Sequence, residues 1–142
     1  MIKHLVPASI VALFLAGCSS GPTDFTAEYR EALASRPGVA MSGPSARAAV
    51  GGFAKLYGDL SVPNVTAKVR EVYAPGAWFN DTIATEVGID AIEKYLLKTA
   101  KGAEKVSAVI QDVAVSGSDC YVRWTMEIRT KNLAGGQPII TE

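Results

Sequence analysis

Histidine and cysteine are scarce in this chain. Its 142 residues include one histidine, His4, and two cysteines, Cys18 and Cys120. If residues 1–17 are removed during export, the mature protein has no histidine. That would exclude nucleophilic catalysis with a histidine base and zinc sites with histidine ligands. We therefore predict no metal site and no cofactor.

The chain also lacks an excess of charge of either sign. It has 14 Lys and Arg against 14 Asp and Glu, and 49% of its residues are apolar. Basic and aromatic residues do not alternate as they do in nucleic-acid grooves, so we predict no nucleic-acid partner. The length and apolar share suit one globular domain.

Residues 1–17 are typical of a bacterial secretion signal. Lys3 and His4 form a positive start, and Leu5–Leu15 is an apolar run too short to span a bilayer as a mature helix. The run ends in LAGC, which resembles the lipobox of bacterial lipoproteins. That resemblance implies that Cys18 is lipidated and becomes the new first residue, although an ordinary secretory signal would also explain the apolar run.

Residues 18–44 begin and end in Ser, Gly and Pro and are interpreted as a lipid-anchored tether. A docked N-terminal helix over Phe25–Leu33 is the alternative. Ser19 follows the cysteine, and by resemblance to the usual sorting rule this favours the periplasmic face of the outer membrane of a bacterial cell envelope. With Cys18 lipidated, Cys120 has no partner for an intrachain disulfide.

The next segment shows helical spacing of apolar residues. A first helix is predicted from Ser45, taken as the N-cap, to Tyr57, and a second from Asn64 to the Pro75-Gly76 break. Residues 77–83 are predicted as a strand, and a third helix is predicted from Gly88 to Gly102. This order places three helices before the last part of the chain.

After Gly102 the apolar spacing changes from helical to alternating. Strands are predicted over 106–115 and 120–131, separated by a turn at 116–119, and a further strand starts at 137. In the second of these strands, the residues assigned to one face are Val122, Trp124, Met126 and Ile128. Antiparallel strands after a set of helices indicate an α+β fold.

This order of elements resembles the nuclear transport factor 2-like superfamily, which includes SnoaL-like proteins and ketosteroid isomerases. The segments that carry the resemblance are FAKLYGDLS (53–61), VREVYAPGAWFND (69–81), GIDAIEKYL (88–96) and DVAVSGSDCYVRW (112–124). The resemblance implies a conical barrel, a curved antiparallel sheet covered by about three helices, formed by residues 45–142. Members usually have two more strands, so we expect this domain to be incomplete at its C-terminus.

The resemblance also implies a site at Asp81. This residue matches the proton-shuttling carboxylate of the isomerases, and alternation along 77–82 places it on the same strand face as Phe79. A turn former is the alternative reading of Asp81. The isomerases also use a first-helix tyrosine to stabilise an enolate, and that position corresponds to Gly51 here.

We expect a pocket between the helices and the concave face of the sheet. Its predicted ligand-binding residues are Phe53, Tyr57, Phe79, Asp81, Val122, Trp124 and Met126. Filling of the core is the alternative for most of the apolar ones. Superfamily members also often dimerise through the outer sheet face, which would hold Tyr121, Arg123 and Thr125, so a homodimer is one expected assembly.

Two functions are compatible with these observations. One is a lipid-anchored binding module of the cell envelope, for a small hydrophobic ligand or a protein partner. The other is an isomerase or hydratase/hydrolase of a hydrophobic, steroid- or polyketide-like substrate, with Asp81 as general base. The missing histidine and first-helix tyrosine favour the non-catalytic module.

Overall fold

The computed structural model describes residues 25–35, 38–131 and 134–141. Cys18 and the predicted signal peptide lie outside the described residues. The chain divides into two compact units, residues 1–37 and 38–142, and the first contains helix α1, Phe25–Ser35. None of the helices in the described ranges has the length and apolar character needed to cross a membrane.

Helix α2 spans Gly43–Tyr57 and begins at a capping box. The N-cap is Ser42, whose hydroxyl accepts from the Ser45 backbone N–H, and the Ser45 hydroxyl accepts from the Ser42 N–H. The prediction that Ser45 is the N-cap was therefore wrong. Pro44 fits the first turn of a helix, where its missing N–H has no partner to lose, so the helix starts earlier.

Helix α3 spans Val62–Val72, with Ser61 as its N-cap. The predicted cap, Asn64, lies inside the helix and has another role. Its Nδ2 group donates at 2.6–3.1 Å to two backbone carbonyls in the last turn of α2, those of Lys55 and Leu56, and to that of Asp59 just after the helix. These bonds satisfy carbonyls left without helical partners and fix the turn between the two helices.

A short hairpin replaces the single strand predicted over 77–83. Strand β1, Trp78–Asn80, pairs antiparallel with β2, Thr85–Val87, and β2 was missed by the sequence reasoning. The predicted strand stops early because Asn80 and Asp81 turn their side chains back onto the backbone that follows. Thr82 then adopts a φ of 74°, which completes the reversal.

Helix α4 spans Ile89–Gly102, as the sequence predicts. It is preceded by Gly88 with a φ of 87°, a conformation that favours glycine. Arg70 of α3 holds α4 from the side, with its Nη2 atom 2.6 Å from Asp90 and 2.5 Å from Glu93. Arg70 and Asp90 are largely exposed and Glu93 is half-buried, so the ion pairs orient the helices more than they stabilise the fold.

The main sheet has the order β3-β4-β5 and is antiparallel throughout. Its strands are β3, Lys105–Ser116, β4, Asp119–Arg129, and β5, Ile139–Thr141. The register shifts between Ile110 and Asp112, so Gln111 forms a bulge. The bulge moves the inward positions from even to odd residues, which keeps Val113 on the same face as Ile110 and bends the strand.

The core lies between α2, α3 and α4 and one face of the β3–β4 pair. Its most buried side chains are Leu56, Val65, Val69 and Ile92, all with 0% relative exposure. Trp124, Met126 and Ile128 pack against this core from β4. The fold is thus an antiparallel sheet covered on one face by three helices.

Candidate functional site

An open apolar groove lies between the middle of α2, the end of α3 and the first half of β4. It has a volume of about 400 Å³. Its lining residues are Ala49, Val50, Phe53, Val72, Tyr73, Cys120, Val122 and Trp124. The lining includes no Asp, Glu, Lys, Arg or His, so the groove suits an apolar molecule.

Stacked aromatic rings form the side of the groove that adjoins the core. The Phe53 ring stacks on Tyr57, with centroids 4.4 Å apart, and on Trp124, with centroids 5.1 Å apart. Tyr57 is itself 5% exposed and belongs to the core. The stack therefore has a packed side and a side that faces the groove, and it presents flat apolar surface to a ligand.

Two tyrosine hydroxyls meet behind this stack. The Oη atoms of Tyr57 and Tyr73 are 2.6 Å apart, which joins α2 to the end of α3. Burial raises the pKa of the Tyr57 hydroxyl well above its ordinary value, and the bond to Tyr73 raises it further. Burial also raises the pKa of Tyr73, whereas its hydrogen bond with Tyr57 acts in the opposite direction. Both hydroxyls are therefore neutral donors at physiological pH.

Asp81 lies in the turn after β1 and accepts three hydrogen bonds. Its Oδ1 atom accepts from the backbone N–H groups of Ile83, at 3.0 Å, and Ala84, at 2.9 Å. Its Oδ2 atom accepts from the hydroxyl of Tyr95 on α4. The carboxylate thus shapes the turn and ties it to α4. The structure shows the turn-forming role, and the proton-shuttling role implied by the resemblance stays a prediction.

The Tyr57–Tyr73 pair and the Tyr95–Asp81 pair lie close to each other, and both adjoin the ring of Phe79. The Phe79 ring lies between them, 6.0 Å from Tyr73 and 5.7 Å from Tyr95 between centroids. The Asp81 charge contributes to the raised pKa of both Tyr57 and Tyr73. The Asp81 carboxylate thus acts on the tyrosine hydroxyls of the other pair, although burial is the larger cause.

The predicted site residues fall into three groups in the structure. Phe53, Val122 and Trp124 line the groove. Tyr57, Phe79 and Met126 belong to the core or pack against it. Asp81 faces Tyr95 and is not a lining residue of the groove. The structure thus separates the apolar groove residues from the carboxylate, and their predicted roles in binding remain predictions.

Sequence reasoning missed Tyr73, Tyr95 and Cys120 as parts of these sites. The signal that could have found both tyrosines is that a buried hydroxyl needs a hydrogen-bond partner. The resemblance also aligned the first-helix tyrosine of the isomerases with Gly51. A Cβ added at Gly51 would meet no heavy atom of the described residues within 4 Å, apart from the backbone of its own helix and its chain neighbours. Helix α2 does supply a tyrosine hydroxyl, that of Tyr57, which is hydrogen-bonded to Tyr73.

Comparison with known proteins agrees with this architecture. The described fold is that of the nuclear transport factor 2-like superfamily. The family model of the SnoaL-like domain matches residues 64–140, and the chain belongs to this family. No curated protein matches the sequence significantly.

Two solved structures are similar to this chain, and the first of them shows the likeness of the fold. The structure of TsrD from Streptomyces laurentii has a TM-score of 0.53 at 18% identity, covering 70% of this chain and 75% of that one. The structure named Rd1NTF2_04 with long sheet has a TM-score of 0.49 at 14% identity, covering 67% of this chain and 80% of that one. At these identities the likeness concerns the fold alone.

Alkaline pH should weaken the fold through Tyr95. Burial, followed by the bond to Asp81, raises the pKa of Tyr95 from 10.0 to about 12. A raised folded-state pKa stabilises the fold fully below pH 10, and this contribution is lost as the pH rises from 10 to 12. We expect Tyr95→Phe to unfold with a smaller pH dependence than wild type over that range, measured by urea denaturation. Equal pH dependence in both proteins would contradict the assignment.

Proposed function

We propose that this protein is a lipid-anchored domain of the bacterial cell envelope that binds a small hydrophobic ligand in the apolar groove. The observation that carries the proposal is the groove itself, about 400 Å³ in volume and walled by the Phe53–Trp124 stack. This volume lies within the range of small-molecule sites, and its lining is apolar as in most of them. A face for a protein partner is the competing use of the same surface.

Catalysis is the second candidate, with Asp81 as general base of an isomerase or hydratase/hydrolase. The tyrosine hydroxyls near Asp81 favour it, because donors of this kind stabilise developing oxyanions. The hydrogen bonds of Asp81 oppose it, since both carboxylate oxygens already hold the turn and Tyr95. A base must also reach its substrate, and Asp81 does not line the groove. We therefore favour binding over turnover.

Blocking the groove tests the binding function. Ala49 is exposed and lines the groove, so Ala49→Phe should fill it without disturbing the core. We expect the affinity for N-phenyl-1-naphthylamine, an apolar fluorescent probe, to fall by about tenfold or more, since each 1.4 kcal/mol is tenfold. The measurement is a fluorescence titration of the full chain carrying Cys18→Ser, so that no lipid absorbs the probe.

Ala48→Phe is the matched control for this experiment. Ala48 is also exposed on α2 but does not line the groove, so this variant should bind the probe as the parent does. Absence of probe binding in the parent protein would refute the binding function. Equal probe affinity in Ala48→Phe and Ala49→Phe would mean that the probe does not bind in the groove.

The proposed lipid anchor at Cys18 is inferred from the sequence alone. The apolar run of residues 5–15 and the LAGC ending support lipidation of this cysteine. A lipoprotein cysteine carries more than one acyl chain, and one chain alone would hold a domain only weakly. We expect Cys18→Ser to move the protein from the detergent phase to the aqueous phase in detergent partitioning. Partitioning that does not change would exclude the anchor.

A further inference from the structure

Residues 38–41 lie against the turn between β3 and β4. The Met41 backbone N–H donates to the Gly117 carbonyl at 2.8 Å. A Cβ added at Gly38 would lie 2.5 Å from the Cβ of Ser118, so the backbone approaches the turn as closely as only glycine allows. The part of the chain that precedes Gly38 is therefore joined to the unit of residues 38–142 at this turn.

Three exposed apolar side chains surround the same turn. Val39 is 84% exposed and lies between Gly38 and Met41, the residues that contact the turn. Tyr121 and Val115 are 60% and 39% exposed, and each lies within two residues of the turn on its strand. They belong to neighbouring register pairs, which point to opposite faces of a hairpin. Apolar surface is thus exposed on both faces of this end of the hairpin.

A bilayer surface fits apolar side chains at this place in the chain. A lipid on Cys18 would keep the domain near the membrane, and residues 19–37 connect that cysteine to Gly38 at the turn. Tethering makes the second contact intramolecular, so a few apolar side chains are enough to hold a face against the bilayer. Tyrosine is also enriched at membrane–water interfaces, because its ring is apolar and its hydroxyl is polar.

The charges around the turn indicate which lipid surface it suits. The acids near this end are Asp112 and Asp119, and both are exposed. Arg123, which lies opposite Asp112 in the register, and Arg47, early in α2, balance them. This end therefore has no excess of positive charge with which to attract anionic headgroups. A zwitterionic surface, contacted through the apolar side chains, is the partner that these residues favour.

We propose that the β3–β4 turn and residues 38–41 rest on the bilayer surface, with Val39, Val115 and Tyr121 buried at the level of the lipid headgroups. This inference rests on the proposed lipid anchor and adds the face that the domain turns to the membrane. Strand β3 has 12 residues. At about 3.3 Å per residue its far end, and Lys131 just beyond the end of β4, lie roughly 30 Å or more from the turn. The far end of the sheet would then point away from the bilayer.

Fluorescence quenching by a nitroxide-labelled lipid tests this orientation. The mature protein, purified with its lipid, is reconstituted into phosphatidylcholine vesicles that contain the nitroxide lipid. It carries Cys120→Ser, so that an introduced cysteine is the single free thiol for a fluorophore. One label is placed with Ser116→Cys, in the turn, and a control label with Lys131→Cys, and both positions are exposed. We expect a large loss of fluorescence at position 116 and little loss at position 131.

The apolar contacts are tested in the protein labelled at position 116. Burying an apolar side chain is worth about tenfold in an equilibrium constant, so Val39→Ser combined with Tyr121→Ser should lower the ratio of docked to undocked domain by about tenfold or more. Quenching should then be largely lost. Val109→Ser is the matched control, because Val109 is 68% exposed but lies away from the turn on β3, and quenching should stay unchanged. All variants should still sediment with the vesicles.

Three results would overturn the proposal. Equal quenching at positions 116 and 131, or quenching that survives the double substitution, would refute the proposed face while the anchor stands. A dimer in size-exclusion chromatography that the double substitution dissociates would assign the apolar side chains to a second copy of the chain. Protein that stays in the supernatant when the vesicles are sedimented would refute the anchor and this inference together.

Discussion

Replacing Leu56 with alanine should destabilise the domain by about 2 to 5 kcal/mol. Leu56 lies in the last turn of α2 with 0% exposure, within the cluster formed with Val65, Val69 and Ile92. The substitution removes apolar surface from the core and leaves a cavity that the surrounding helices fill only partly. The measurement is urea denaturation followed by tryptophan fluorescence at constant pH. A domain of this size has about 5 to 15 kcal/mol of stability, so the variant would lose a large share of it.

Leu33→Ala is the matched control for this substitution. Leu33 also lies in a helix, α1, but it is 48% exposed, so the same chemical change should cost less than about 1 kcal/mol. A loss at Leu56 no larger than the loss at Leu33 would contradict the placement of α2 over the sheet. It would mean that the interior is not closely packed at this position.

The sequence was informative where one periodicity continued over many residues. Helix α4 was predicted between Gly88 and Gly102, and Ile92 and Leu96 of its apolar stripe are buried. Alternation in β4 likewise placed Trp124 on the inner face, where it packs against the core. Periodicity predicts such elements because it reports which side of a helix or strand avoids water.

Short elements and exact boundaries could not be predicted in the same way. Strand β2 has three residues, too few to show a period, and its formation depends on the turn made by Asn80 and Asp81. The bulge at Gln111 is similarly invisible, because a shift of register is fixed by the partner strand. The N-cap of α2 is Ser42 and not Ser45 as predicted. Both serines lie close to Pro44, and the sequence alone does not distinguish which of them caps the helix.

The site was predictable in composition but not in connectivity. Phe53, Val122 and Trp124 were expected at a pocket from the family resemblance and their apolar faces, and they line the groove, while their role in binding stays a prediction. The Tyr57–Tyr73 and Tyr95–Asp81 bonds join residues 16 and 14 positions apart. Tertiary packing brings them together, of α2 against the end of α3 for the first bond and of α4 against the hairpin turn for the second. The periodicity of apolar residues shows which face of a helix a tyrosine lies on, but it does not show which group forms a hydrogen bond with its hydroxyl.

Asp81→Ala should also have a large effect, a loss of about 2 to 3 kcal/mol. The variant removes the acceptors of the Ile83 and Ala84 amides and of the Tyr95 hydroxyl, and each lost bond is worth about 1 kcal/mol. Asp81→Asn should cost less than Asp81→Ala, because its side-chain oxygen can still accept from the turn. Its amide group can also donate to Tyr95, whose hydroxyl is able to accept.

A double-mutant cycle with Tyr95→Phe separates the two roles of Asp81. We expect Asp81→Ala and Tyr95→Phe to be coupled by about 1 kcal/mol in urea denaturation, with the remaining loss at Asp81 assigned to the turn. If Asp81 were instead a general base held at some cost to the fold, Asp81→Asn would be at least as stable as wild type. It would also abolish turnover of a ketone substrate while probe binding persisted. Additive substitutions, together with a stable Asp81→Asn variant that binds but does not turn over substrate, would favour the enzyme. Coupled substitutions and unchanged probe binding would show that the carboxylate serves the hairpin and its contact with α4, leaving the groove to act by binding alone.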